Sequence, residues 1–249
     1  MTVRTVLVFS GLDPSGGAGM SADITAIAAQ GVHALSIITA LTVQDHNRVH
    51  HVEPVETNML LRQARVLVDS MPIDAVKIGI PGSRANAEAI AAVITRLRVR
   101  MPGLPVVLDP VLASGHGDVL TPGDAVAALA PLLPLTTLAV PNLAEAAALD
   151  LSACHQVLVT GGHGDGPHVI NRWRGQGQER AWHWERLQGQ FHGSGCTLAA
   201  AIAARLALGE ALEVALERAQ AYVQRTLAAS LYVGPGQRIP QRFFQVEQH

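Results

Sequence analysis

The sequence predicts an α/β fold in which a mostly parallel central sheet lies between two layers of helices, with an antiparallel hairpin at one edge. Short apolar runs alternate with segments of helical spacing along most of the chain, which is typical of parallel sheets. The apolar runs are continuous, so their strands are expected to be buried on both faces. The rhythm changes after Thr160, where two strand-like segments flank a polar turn that contains glycines.

Each predicted strand is a short aliphatic run, and each predicted helix repeats apolar residues every three or four positions. Parallel strands are predicted at residues 3–10, 33–44, 75–80, 105–108, 137–140 and 156–159. Helices are predicted from the first glycine-rich loop to Gln30 and at residues 57–70, 85–100, 122–133 and 143–149. The hairpin comprises residues 168–173 and 179–185, and two helices follow, the first from Ser194 to Leu208 and the second after Gly209. No linker or repeat interrupts this order, so residues 1–249 are predicted to form a single domain, with the tail 234–249 docked loosely through Phe243 and Phe244.

The composition excludes several classes of protein. Apolar residues make up 49% of the chain and charged residues 15%, which excludes intrinsic disorder. A net charge of −2 does not favour nucleic-acid binding, which needs clustered positive charge. No apolar run approaches the ~20 residues that span a bilayer, and two cysteines without CxxC spacing indicate neither a disulfide framework nor a metal site. We therefore expect a cytoplasmic protein that binds a small molecule, and neither nucleic acid nor a membrane.

Polar residues and glycines follow most of the predicted parallel strands. Ligands of open α/β sheets bind beyond the carboxyl ends of the strands, so these residues are expected to share one rim. They comprise the loop Gly11 to Gly19, Val43 and Gln44, Ile80, Asp109, Asn142 and Glu145, and Thr160 and Gly162.

The segment Gly193-Ser194-Gly195-Cys196-Thr197 is the sharpest local signal. Its glycines allow close backbone approach, and a predicted helix follows directly, so the free N–H groups and the helix dipole would hold an anion. The same dipole predicts a lowered pKa for the Cys196 thiol. The alternative is a glycine turn in which Cys196 only packs.

Other polar residues of the rim have structural alternatives. Asn142 and Glu145 fit a helix capping box as well as a site in which Glu145 holds Mg²⁺ beside nucleotide phosphates. Asp109 either joins that site or ends its strand, and Gln44 either recognises a polar ligand edge or is solvated.

The first loop excludes two common nucleotide motifs. It contains no lysine and matches neither the P-loop nor the dinucleotide fingerprint. Lysine is rare throughout, since Lys77 is the single lysine among 18 basic residues.

Together these segments resemble the ribokinase-like superfamily, and within it the hydroxymethylpyrimidine/phosphomethylpyrimidine kinases of thiamine biosynthesis. The matching motifs run in the family's order: Gly11 to Gly19 with Ala22-Asp23, Ile38 to Gln44, Val76 to Gly79, Leu108 to Val111, Pro141 to Glu145, and His192 to Leu198. The resemblance spans roughly residues 5 to 231 and implies the ribokinase-like form of the predicted fold and a homodimer.

The resemblance also implies a role for each matching position. Gln44 and Asp23 would hydrogen-bond an aminopyrimidine, with Gly11, Ala18, Val43 and Ile80 around it. Gly193, Ser194, Gly195 and Cys196 would form the catalytic anion hole, with Cys196 acting either as a base or only as part of the hole. Asn142, Thr160 and Gly162 would meet the nucleotide, and Glu145 and Asp109 would serve Mg²⁺.

Two departures from the family pattern concern the ligands. Family members usually carry lysine where this chain has Thr160, and often methionine where it has Ile80. The hypothesis is ATP-dependent phosphorylation of 4-amino-5-hydroxymethyl-2-methylpyrimidine, with a second transfer to its monophosphate left open. The alternatives are a pyridoxal/pyridoxine kinase and a non-catalytic pyrimidine- or nucleotide-binding protein.

Overall fold

The computed structural model describes residues 3–243 and contains one nine-stranded sheet. The strands are β1 (Thr5–Leu12), β2 (His33–Gln44), β3 (Val49–Pro54), β4 (Ala75–Ile78), β5 (Val106–Leu108), β6 (Leu138–Ala139), β7 (Gln156–Val159), β8 (His168–Gly175) and β9 (Gln178–Glu185). Their order across the sheet is β3-β2-β1-β4-β5-β6-β7-β8-β9. The six strands from β2 to β7 in this order pair in parallel, whereas β3, β8 and β9 pair antiparallel with their neighbours.

Seven helices cover both faces of the sheet in the described part of the chain. They are α1 (Gly19–Ala28), α2 (Thr57–Ser70), α3 (Arg84–Arg100), α4 (Ala125–Leu129), α5 (Leu143–Ala148), α6 (Ser194–Ala207) and α7 (Leu212–Ala228). One buried cluster joins α1, α6 and α7 to the sheet, and a second joins α2, α3 and α4 to the opposite face. The predicted three-layer α/β/α fold is therefore confirmed.

The predicted edge hairpin is also confirmed. β8 and β9 pair antiparallel along their whole length, from His168 opposite Glu185 to Gly175 opposite Gln178. Gln176 and Gly177 turn the chain with φ of +51° and +74°. Two successive positive φ angles are the geometry that joins twisted strands in a two-residue turn.

Two features of the local structure differ from the prediction. The predicted helix 122–133 is shortened to α4, followed by a 3₁₀ turn at Leu133–Leu135, because Pro131 and Pro134 cannot donate helical hydrogen bonds. Strand β3 was not predicted, because its two histidines and a glutamate obscure the apolar pattern of an exposed edge strand.

The tail is docked more firmly than expected up to Arg242. Gln237, Ile239 and Arg242 are buried, and backbone hydrogen bonds tie Arg238 to the segment that leads into Gly193. Phe243 is exposed, contrary to the predicted docking, and Phe244 lies outside the described residues.

None of the described helices is both long enough and apolar enough to cross a membrane.

Candidate active site

A cavity of about 820 Å³ opens at the carboxyl ends of the parallel strands. Its volume lies within the ordinary range for small-molecule sites. The strand order places four strands between β2 and β7, so the cavity extends over roughly 24 Å of sheet width. One end therefore lies beside β1 and β2, the other beside β7 and β8, and the N-terminus of α6 lies between them.

Most of the predicted site residues line this cavity. They are Gly11, Ala18, Gln44, Ile80, Asp109, Asn142, Glu145, Thr160, Gly162, Gly193, Ser194, Gly195 and Cys196. The rim predicted from the residues that follow the strands is thus a continuous surface in the folded chain.

Asp23 and Val43 do not line the cavity, which corrects their predicted contact with the substrate. Asp23 is fully buried, and its Oδ2 accepts a hydrogen bond of 2.8 Å from Lys77 Nζ. Val43 is 58% exposed, because strand alternation points its side chain away from the cavity that Gln44 lines. Adjacent strand residues face opposite sides of a sheet, so only one of this pair could line the cavity.

Helix α6 begins without a side-chain cap, at the centre of the cavity. Its N-cap, Gly193, has a left-handed φ of +82°, and Ser194, Gly195 and Cys196 of the first turn face the cavity. Side-chain caps are present at α2, α3, α4 and α5 and absent at α1, α6 and α7. The free N–H groups and the dipole at the start of α6 would suit an anion, which makes it the candidate anion site.

The anion site depends on close packing between two glycines. A Cβ added to Gly193 would lie 2.0 Å from the carbonyl oxygen of Gly17, and a Cβ on Gly17 would lie 2.3 Å from Cδ2 of His192. The first loop and the start of α6 therefore meet backbone to backbone. Such an approach explains why both segments are rich in glycine.

The pKa of Cys196 corrects the prediction of a thiolate. Burial raises it to about 12, and the neighbouring carboxylate of Asp109 adds to the shift, whereas Lys77 opposes it. The helix dipole does not outweigh these effects. Cys196 is therefore a neutral thiol at physiological pH.

A buried ion pair lies beneath the cavity. Lys77 and Asp23 are both fully buried, and the charges of Asp23 and Asp109 hold the pKa of Lys77 above its usual value although burial lowers it. Lys77 therefore neutralises carboxylates under the site. It cannot meet a ligand, because it has no exposed surface.

Asp109 and Glu145 are two carboxylates that line the cavity near the start of α6. Glu145 forms the predicted capping box with Asn142, through bonds of 2.8 and 2.9 Å. Burial and then the charge of Asp109 raise the pKa of Glu145 to about 7. Asp109 is also buried, and its Oδ2 has no hydrogen-bond partner among the described residues. Two such carboxylates fit a divalent cation, since Mg²⁺ commonly binds one or two carboxylates together with phosphates.

Several cavity residues were not predicted from the sequence, because each is a single polar side chain without a motif around it. Asp13 accepts a 2.8 Å hydrogen bond from Nε2 of His192. Burial raises the pKa of Asp13, but hydrogen bonds from His192, Ser15 and Gln44 outweigh it and hold the pKa well below its usual value. The position of His192 next to Gly193 was the available signal.

Arg186 is a second missed residue, at the other end of the cavity. Its guanidinium donates to the carbonyl oxygens of Gly162 and Gly166, at 2.7 Å each, and so holds the loop that follows Thr160. This arrangement brings a permanent positive charge to the end of the cavity where Thr160 stands in place of the expected lysine.

The sequence matches the profile of a family described as phosphomethylpyrimidine kinase over residues 13–241. This chain belongs to the phosphomethylpyrimidine kinase family. It is therefore a phosphotransferase, and relatives from Corynebacterium efficiens and Geobacter sulfurreducens, 34% and 33% identical, carry thiamine biosynthesis in their names.

Relatives of the same name agree with this assignment. The chain is 36% identical to hydroxymethylpyrimidine/phosphomethylpyrimidine kinase of Rhizobium meliloti, over 92% of this chain and 93% of the relative. It is 34% identical to the protein of the same name from Synechococcus elongatus, over 95% and 96% of the two chains.

Solved structures share the fold. Phosphomethylpyrimidine kinase from Clostridium difficile matches with a TM-score of 0.73 and 26% identity, over 91% of this chain and 100% of that one. An ADP complex of pyridoxal kinase from Bacillus subtilis matches with a TM-score of 0.84 and 24% identity, over 97% and 98%. The latter likeness supports the ribokinase-like fold alone.

Proposed function

We propose that this kinase transfers the γ-phosphoryl group of MgATP to the hydroxymethyl group of 4-amino-5-hydroxymethyl-2-methylpyrimidine, and then phosphorylates the monophosphate. The observation that carries the proposal is the uncapped start of α6, placed between two ends of one cavity. Such a position suits an anion that passes from a donor on one side to an acceptor on the other. Relatives that carry both activities in their names support the second transfer.

The acceptor end is the part of the cavity beside β1 and β2. Gln44 offers both a donor and an acceptor, and Asp13 with its partner His192 adds a second polar edge. Ile80 packs against Gly11 and supplies an apolar wall, since a Cβ on Gly11 would lie 2.6 Å from Cδ1 of Ile80. A flat aminopyrimidine needs this combination of polar edge groups and apolar faces.

The donor end is the part of the cavity beside β7 and β8. Val169, Leu198, Val223 and Leu227 line it with apolar surface suited to a nucleotide base. Asn171 and Trp184 both donate hydrogen bonds to Oε1 of Gln220. These bonds fix the orientation of the polar side chains at the donor end. Asp109 and Glu145 would hold Mg²⁺, which supplies charge neutralisation of the phosphates. Solved pyridoxal kinases of the same fold bind ADP, and the proposal takes ATP as the phosphoryl donor.

Catalysis then rests on position and charge rather than on a strong base. The N–H groups of Ser194, Gly195 and Cys196 face the charge that develops on the transferred phosphoryl group. A neutral thiol cannot act as a general base, so we assign no proton transfer to Cys196. Its role is to form part of the wall of the anion hole.

An assay of ADP release with three acceptors tests the function. We expect turnover with the hydroxymethylpyrimidine and with its monophosphate, each dependent on Mg²⁺. A preference for pyridoxal of more than about tenfold in kcat/KM would assign the chain to the alternative kinase reaction. Binding of the pyrimidine without ATP turnover would establish a non-catalytic protein.

Replacement of Cys196 distinguishes a base from a neutral wall of the anion hole. We expect Cys196→Ser and Cys196→Ala to keep kcat within about tenfold of the unchanged kinase, because general base catalysis contributes about 10²- to 10⁴-fold. Cys154→Ser is the matched control, since Cys154 is the second free cysteine and lies outside the cavity. A loss of about 10³-fold in both Cys196 variants would restore the base role.

Thr160→Lys measures the charge missing from the donor end. We expect KM for ATP to fall about fivefold, which corresponds to about 1 kcal/mol of pairing at a partly exposed position. Thr95→Lys adds the same charge on the exposed side of α3 and should leave KM unchanged. An unchanged KM in Thr160→Lys would mean that Arg186 already supplies the charge.

The homodimer is proposed from the family resemblance. Leu41 and Val43 are exposed on β2, next to the open edge strand β3, and exposed strand edges with apolar neighbours are suited to association. Sedimentation velocity of the full chain measures the state directly, and a monomer at assay concentration contradicts the proposal.

A further inference from the structure

The C-terminal tail runs along the backbone that leads into the anion hole. The N–H of Arg238 donates to the carbonyl of Gln190 at 2.8 Å, and the N–H of His192 donates to the carbonyl of Arg238 at 2.9 Å. The tail thus pairs with residues immediately before Gly193. The chain then continues to Arg242, which is 5% exposed.

The side chain of Arg242 reaches both partners of the glycine contact. Its Nε donates to Oγ1 of Thr197 at 2.9 Å, and Thr197 Oγ1 in turn donates to the carbonyl of Gly193 at 2.7 Å. Its Nη2 donates to the carbonyl oxygen of Gly17, the atom against which Gly193 packs. One guanidinium therefore holds the first loop and the start of α6 together from behind.

The acceptors of this guanidinium are neutral. Within residues 3–243, Arg242 forms no ion pair, and its hydrogen bonds go to a hydroxyl and to the carbonyls of Gly16 and Gly17. Burial lowers the pKa of Arg242 and outweighs the carboxylates of Asp23 and Asp13, which favour the charged guanidinium from beyond ion-pair distance, so this buried charge remains costly. An anion bound at the start of α6 would offset part of that cost, so anion binding and the charge of Arg242 should be coupled.

We propose that Arg242 is a positioning residue of the kinase, which fixes the first loop against α6 and places a positive charge behind the anion hole. Resting on the proposed phosphoryl transfer, the proposal adds a basic residue from the C-terminal tail to the site. The side chain of Arg242 does not line the cavity. It therefore acts on a bound anion through the electrostatic field of its charge and through the backbone of the first loop and α6 that it holds in place.

Three substitutions of Arg242 distinguish the effect of its charge from the effects of its shape and of its contribution to the stability of the fold. Arg242→Lys keeps the charge without the planar fork, Arg242→Gln keeps hydrogen bonding without the charge, and Arg242→Ala removes both. Arg238→Ala is the matched control, because Arg238 is an exposed arginine of the same tail. Each variant is measured for kcat, for KM of ATP, and for the rise in Tm on addition of inorganic phosphate.

We expect Arg242→Ala to lose about 10²-fold in kcat, with partial rescue by millimolar guanidinium chloride. Arg242→Lys should keep most of the phosphate-induced rise in Tm, and Arg242→Gln should lose it although it is folded. Arg238→Ala should match the unchanged kinase in all three measurements.

The phosphate-induced rise in Tm is measured without turnover. It therefore tests the role of Arg242 even if the proposed substrate is wrong. If Arg242→Gln keeps the full phosphate-induced rise in Tm and an unchanged kcat, Arg242 has no part in the anion site. If Arg242→Ala lowers Tm alone, with kcat intact, Arg242 only stabilises the fold. Should the alanine variant fail to fold, the lysine and glutamine variants decide by the same two outcomes.

Discussion

Gly193→Ala is expected to lower kcat by about 10²- to 10³-fold, the loss associated with removing one donor of an oxyanion hole. The added methyl group would lie 2.0 Å from the carbonyl oxygen of Gly17 and 3.0 Å from Cα of Ala18. Both of these atoms are backbone, so relief requires the first loop to move away from α6. That movement separates the two halves of the anion hole. Steady-state kinetics with saturating ATP and pyrimidine measure the loss.

Gly209→Ala is the matched control for backbone strain. Gly209 lies just past the other end of α6, with φ of +83°, nearly equal to the +82° of Gly193, and no atom lies within 4 Å of its added Cβ. We expect a loss of stability of about 1–2 kcal/mol from the left-handed conformation and an unchanged kcat. Equal kcat values for the two alanine variants would contradict the role assigned to the Gly193–Gly17 contact.

Lys77→Met is expected to lower the free energy of unfolding by about 3–5 kcal/mol, because it leaves Asp23 as an unpaired buried carboxylate. Asp23 Oδ1 already has no hydrogen-bond partner among the described residues, and Lys77 Nζ is the partner of Oδ2. Chemical denaturation monitored by circular dichroism measures the change. Arg84→Met, which breaks the exposed pair with Glu88, is the control and should cost less than about 1 kcal/mol.

The loss in Lys77→Met should depend on pH in a definite direction. Burial already raises the pKa of Asp109 above its usual value and the charge of Lys77 opposes that rise, so without the lysine the folded variant prefers the protonated acid more strongly. Stability linked to a raised pKa is present at low pH and is lost as pH rises through the folded pKa. The deficit relative to the unchanged kinase should therefore be smaller at about pH 5 than at about pH 8. A deficit that is independent of pH would indicate lost packing instead.

Local sequence features were enough to predict most elements of the fold. Thr57–Ser70 is helical over the predicted residues, because its apolar positions recur with helical spacing. The helix predicted at 122–133 failed where prolines removed donors from an otherwise apolar segment. Strand β3 was missed because an edge strand needs no continuous apolar run.

The cavity was predictable as a rim, since the carboxyl ends of parallel strands meet at one edge of the sheet. What each side chain does there was less predictable. Val43 and Gln44 are neighbours in sequence, yet one is exposed on the outside and the other lines the cavity. Asp23 belongs to a motif that resembles a substrate site, yet it is buried against Lys77.

The single lysine, Lys77, illustrates what could not be predicted from the sequence alone. The order of short motifs along this chain determined the three-layer fold and the family, because local patterns and strand–helix alternation are written in consecutive residues. Only the tertiary structure shows that Lys77 is buried, that burial raises the pKa of Cys196 and that Arg186 lies at the end of the cavity where the lysine is missing. Burial and charge depend on residues brought together from distant parts of the chain, as when Arg242 reaches Gly17.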